Sequence, residues 1–94
     1  MHFERTHPGS VLKEELEARD LSANALALKL RIAPQRLQEI VAGRRAISPD
    51  TALRLGRFFR NEPEFWMTLQ TNYDLARARA DHGAKIEAEV EVAA

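Results

Sequence analysis

The chain has 94 residues, 14 basic and 14 acidic side chains, and no cysteine. That length makes one domain with a modest core, and the missing cysteine excludes disulfides and thiolate metal sites. No apolar run approaches the roughly 20 residues of a membrane span, and the amino terminus lacks a signal-peptide core, so a cytosolic protein is expected.

Residues 1–7 read as an irregular lead-in. Pro8 is pre-shaped for a first helical position and opens a helix to about Arg19, with Val11, Leu12 and Leu16 inward. The corner at Asp20, Leu21 and Ser22 leads into a second helix. The Ser22 hydroxyl is placed to accept from free amides of the first turn, and Leu21 and Leu26 are spaced as a hydrophobic staple. Leu26, Ala27 and Leu30 share its inner face. A third helix begins at Pro34 and stops at Gly43, a favoured C-terminal cap. Inside it Leu37, Ile40 and Val41 point inward, while Gln35, Gln38, Glu39 and Ala42 point out. After a loop over 44–48, the run Ser48-Pro49-Asp50 starts a fourth helix to about residue 60. That helix buries Ala52, Leu55 and Phe59, and Gly56 on the same face permits a close crossing. Pro63 opens a fifth helix to about Asp81, striped by Phe65, Trp66, Leu69, Tyr73, Ala76 and Ala80, a stripe read mainly as core with part of it a candidate subunit contact. Past Gly83, Ile86, Ala88, Val90 and Val92 alternate with Lys85, Glu87, Glu89 and Glu91, a period of two that is a strand signature; with no partner strand in the chain, the tail is frayed, paired across a dimer, or held for another protein. The expected fold is all-α, a five-helix domain over residues 8–81 with a short strand-like tail over 82–94.

The second and third helices together read as a helix-turn-helix over residues 22–43. Ala27 is small where two helices crossing steeply need close approach, and Ile32 fills the turn. An ordinary helical hairpin would show the same apolar pattern but not the same charge. Positions 29–60 carry eight basic residues against two acidic, a net of +6, while residues 1–28 carry −2 and residues 61–94 carry −4. A neutral chain with its positive charge gathered over one helical pair is polarised for a polyanion. Duplex DNA is the expected partner. The third helix would enter the major groove amino end first. Gln35 and Gln38 would read adenine edges, Ala33 and Pro34 would touch a thymine methyl, and Arg36 would reach guanine or phosphate. Glu39 would accept from cytosine or hold Arg36. Ser22, Asn24, Arg31, Arg44 and Arg45 would bind phosphates, which position without specifying. Arg54 and Arg57 read as solvated helix-face charges. One such module makes few contacts, so a twofold dimer is expected, with half-sites roughly 34 Å apart or a multiple of that.

Other classes find less support. There is no nucleophile–base pair and no glycine-rich phosphate loop, and His2, His7 and His82 lack metal-ligand spacing and read as surface residues. No catalytic residue, metal or cofactor is expected. A pure protein-binding module would use the aromatic fifth helix and the alternating tail, and leave the charge distribution unexplained.

Four segments carry a family resemblance: HPGSVLKEEL at 7–16, LSANALALKL at 21–30, ISPDTALRLGRFF at 47–59 and PEFWMTLQTNYDL at 63–75. Together they resemble the HigA antitoxins, which are related to the VapI-type virulence-associated regulators, over about residues 7–80. The resemblance implies a cytosolic homodimer of the λ-repressor-like class. It implies binding to a palindromic operator at the protein's own promoter, and neutralisation of a HigB-like toxin, an mRNA endonuclease of the RelE type. On this reading Trp66, Leu69, Tyr73, Ile86 and Val90 are candidates for a dimer or toxin interface. A stand-alone repressor without a toxin is the alternative. Two positions depart from the family pattern: Arg31 stands where many relatives have glycine in the turn, and Ala23 where repressor relatives often have a phosphate-holding glutamine.

Overall fold

The computed structural model describes residues 6–94; positions 1–5 of the expected lead-in, and His2 with them, lie outside the described residues. Five helices follow one another: α1 Pro8–Ala18, α2 Ala23–Leu30, α3 Pro34–Val41, α4 Pro49–Phe59 and α5 Pro63–Glu89. The starts are chemically marked. Pro occupies the first turn of α1, α3, α4 and α5, where its missing N–H costs nothing. The Ser22 hydroxyl accepts from the Ala25 amide at 3.0 Å, and Ser48 does the same for Thr51 at 3.2 Å.

The ends are marked less conventionally. α2 and α4 are capped by left-handed residues, Arg31 with φ 62° and Arg60 with φ 60°, and α1 is followed, one residue past its cap at Arg19, by Asp20 with φ 52°; none of the three is glycine. At Arg31 the turn closes by Ile32 N–H donating to the Ala27 carbonyl at 3.1 Å and Arg31 N–H to Leu28 at 3.3 Å. Arg31 therefore takes the same left-handed conformation that glycine would adopt there, and the turn keeps its shape despite the arginine.

Twelve apolar side chains form one core: Leu12 and Leu16 of α1, Leu26, Ala27 and Leu30 of α2, Leu37 and Ile40 of α3, Ile47 of the following loop, Ala52 and Leu55 of α4, and Trp66 and Leu69 of α5. α2 packs against α3 and α4, α1 lies across α3 and α5, and α4 lies on α5. Phe59, expected inside, is half-buried at the edge, where the Arg19 guanidinium covers its ring at 5.0 Å. Gly56 has its α-carbon against the next turn; a methyl there would stand 2.8 Å from the Asn61 carbonyl oxygen.

The carboxyl-terminal expectation is corrected. α5 does not stop near Asp81, and residues 82–89 are not a strand: the helix runs 27 residues to Glu89, and only Val90 turns extended. The reason is where the backbone hydrogen bonds go. A strand here would need a neighbour, whereas continuing α5 satisfies each amide within the same segment. Alanines 84 and 88 with Lys85, Glu87 and Glu89 favour that outcome, and one interior glycine costs only about 1 kcal/mol. The overhanging helix stretches the molecule to 52 × 25 × 21 Å. No helix among the described residues is long and apolar enough to cross a membrane.

Candidate nucleic-acid interface

α3 sits on the core through Leu37 and Ile40, both 0% exposed. That anchorage turns Ala33, Pro34, Gln35, Arg36 and Gln38 to solvent, as their spacing predicts. No side chain caps the start of α3, so the first amides of the helix stay open toward whatever anion approaches. The far end is closed by Gly43, with φ 79°: its N–H donates to the Ile40 carbonyl at 3.0 Å and the Arg44 N–H to the Glu39 carbonyl at 2.8 Å. This cap turns the chain outward at once, and Arg44 and Arg45 emerge exposed at the end of the helix.

Two outward residues are tied down. The Gln38 Nε2 donates to the Asn24 side-chain Oδ1, a bridge from the start of α2 to the middle of α3. One Gln38 N–H and its oxygen remain free, which is the donor–acceptor pair an adenine edge requires. Asn24 thus orients the exposed Gln38 side chain. Glu39 is half-buried and does not hold Arg36. Its carboxylate takes the Arg45 Nε–H at 2.9 Å, because the cap at Gly43 swings Arg45 back over the last turn. The ion pair neutralises the one carboxylate of α3 and leaves four guanidinium N–H groups of Arg45 for other acceptors.

Arg54 is also corrected. It is half-buried rather than solvated, and it donates to the Leu30 carbonyl at 2.8 Å while pairing with Asp50 at 2.9 Å. It thereby satisfies a free carbonyl at the end of α2 and fixes the turn that carries Arg31. Arg57 is exposed, as expected. Ser22, Asn24 and Arg31 are exposed on the same helical pair.

Sequence reasoning missed the support behind the arginine loop. Ile47 is 2% exposed, and its N–H donates to the Gln70 Oε1 at 2.8 Å; Gln70, on α5, is 4% exposed and donates from Nε2 to Asp74 at 3.0 Å. A glutamine on the inner stripe beside Trp66 and Leu69 was the available signal, since a buried amide requires partners. His7, read as a surface residue, is half-buried. Its Nδ1 accepts the Gly9 N–H at 2.8 Å as the cap of α1, and its ring meets Tyr73 edge-on at 4.9 Å.

Burial holds the His7 imidazole below its ordinary value of 6.5, against the opposing pull of the Asp74 carboxylate and the Arg45 carbonyl. Below 6.5 the unfolded chain then binds more protons than the folded one, so stability is full above that pH and falls as the solution is acidified. Thermal melts between pH 5 and pH 7 should show the loss. It should shrink in His7→Asn, whose amide oxygen can cap α1 without titrating; an unchanged pH profile would assign the effect elsewhere.

Of the interface candidates on α5, Trp66 and Leu69 are corrected: at 1% and 5% exposure they belong to the core. The Trp66 indole N–H donates to the Asn61 side chain at 3.1 Å, which pins the start of α5 beneath α4. Tyr73 is half-buried, while Ile86 and Val90 are 52% and 65% exposed.

A tight helix pair seated on α1, α4 and α5, with its second member presented outward, defines a helix-turn-helix domain. The family model described as "Helix-turn-helix" matches residues 12–66, and the chain belongs to that family. Virulence-associated protein I of Dichelobacter nodosus is 49% identical over 76 residues, covering 80% of this chain and 70% of its own length. An addiction module antidote protein of the HigA family from Coxiella burnetii superposes with a TM-score of 0.92 at 48% identity, covering 95% of this chain and 98% of that one. The Pseudomonas aeruginosa antitoxin HigA, solved with the higBA promoter, gives 0.90 at 44% identity, covering 93% and 96%. Within its family, the chain's structural neighbours are HigA antitoxins.

Proposed function

We propose that this protein is an antitoxin and a sequence-specific autorepressor of a toxin–antitoxin operon, acting in the cytoplasm as a homodimer and neutralising a HigB/RelE-like mRNA endonuclease. The observation that carries the DNA half is the outer face of α3. Gln35, Arg36 and Gln38 are exposed on a helix fixed from behind, and Arg44 and Arg45 follow at its end. A Pseudomonas relative of the same fold was solved with the higBA promoter, which supports DNA binding here. Residues 8–81 form the DNA-binding unit, with Ala33, Pro34, Gln35, Arg36 and Gln38 against bases. Ser22, Asn24, Arg31, Arg44 and Arg45 lie along phosphates. Glu39 serves them indirectly, through Arg45. The exposed apolar residues of the overhanging helix, Ile86 and Val90, with Tyr73 at its root, supply the dimer or toxin contact.

Selection of duplexes from a random pool tests the DNA reading directly. The wild-type protein should enrich a palindrome, and Gln35→Ala should relax one position in each half-site, at a cost of about 1–3 kcal/mol in discrimination. Unaltered base preference would remove Gln35 from the reading. For the toxin half, a neighbouring small basic open reading frame should be toxic alone and harmless when this chain is co-expressed. Toxicity that persists on co-expression would leave a stand-alone repressor.

A further inference from the structure

The loop that carries Arg44 and Arg45 is held from behind by α5, and the hold is polar, buried and specific. Gln70 is one of two polar residues buried among those described, and both ends of its amide are engaged: its oxygen takes the Ile47 N–H and its nitrogen reaches Asp74. The backbone of this short segment is thus held at Ile47 by α5, while Arg44 and Arg45 just before it stay exposed.

We propose that Gln70, with Asp74 behind it, is a positioning residue for DNA affinity: it fixes the backbone of residues 44–47 so that Arg44 and Arg45 are presented to phosphate in a preset geometry. The inference rests on the DNA-binding reading and extends it to residues on α5 that touch no base or phosphate. Without the clamp, the arginines keep their charge and lose their preorganisation, so binding pays the ordering cost at each association.

The test is a set of salt titrations on an operator duplex selected with the wild-type protein, each variant being checked for folding by circular dichroism. Gln70→Met should weaken binding about tenfold, the worth of roughly one buried hydrogen bond. It should have no further effect in an Arg44→Ala, Arg45→Ala background, where nothing remains to position. The exchange Gln70→Glu with Asp74→Asn keeps an acceptor for Ile47 and reverses the second hydrogen bond, so it should restore wild-type affinity. Asp74→Ala gives an independent sign test at an exposed position. Removing a negative charge raises DNA affinity on electrostatic grounds alone, whereas release of Gln70 lowers it about threefold. A folded Gln70→Met that binds as wild type overturns the proposal, as does an equal loss in the arginine-free background. Should Gln70→Met fail to fold, an Asp74→Ala variant that binds as tightly as wild type, or tighter, overturns it. A wild-type protein that binds no duplex at low salt brings down the DNA reading itself, which separates the two failures.

Discussion

Replacing Arg44 and Arg45 together by alanine is expected to weaken binding to every duplex and to flatten its salt dependence by about 2 in logarithmic slope per protomer, since each lost phosphate contact removes about 0.9. Both side chains are exposed at the end of α3, and in the proposed function they meet phosphate rather than bases. The loss should therefore be shared by operator and random DNA, leaving sequence preference intact. The structure adds an asymmetry between the two. Arg45 masks the Glu39 carboxylate at 2.9 Å, so Arg45→Ala removes a cation and also bares an anion on α3, the helix proposed to face DNA. Arg45→Ala should then cost more than Arg44→Ala, and Glu39→Gln should recover part of the deficit. Binding isotherms at several salt concentrations measure all four proteins, and an unchanged slope in the double variant would take these arginines off the phosphate backbone.

Gly9→Ala is expected to have the largest effect on the fold, about 3 kcal/mol of lost stability and a melting temperature lower by roughly 15 °C. Gly9 is buried at the start of α1, where a β-carbon would fall on the carbonyl oxygen of Ile40 and within 3.0 Å of its carbon. The obstacle is backbone, which cannot rotate aside as a flexible side chain would. The same carbonyl accepts the Gly43 N–H at 3.0 Å, so displacing it disturbs the cap that ends α3. Relief requires α1 to move off α3, opening the core around Leu12 and Leu37. Thermal unfolding by circular dichroism measures the effect; a variant melting within about 2 °C of wild type would show that α1 can shift without loss.

The helix starts were legible because each has a local chemical cause: a proline or a serine cap does its work within four residues of its own position. The inner faces of α2 and α3 were legible for a related reason, since burial of Leu26, Leu30, Leu37 and Ile40 follows from a helical period that needs no knowledge of neighbours. The end of α5 was not. Its apolar residues at 86, 88, 90 and 92 fit a strand by period, yet the choice between strand and helix turns on whether a pairing edge exists, which lies outside the segment.

The amino-acid order by itself determined the five helices to their starts, the helix-turn-helix, the clustering of cations over residues 29–60, and the exposed face of α3. Only the tertiary structure decided which partner each polar side chain takes and which apolar side chains are covered. Glu39 went to Arg45 rather than Arg36, Arg54 went to the end of α2, Trp66 and Leu69 went to the core, and Gln70 took hold of the loop from 23 residues away. Local rules act over one or two turns of backbone. A polar side chain instead selects its partner from whatever the folded chain brings within about 3 Å, and that neighbourhood exists only once the helices have packed.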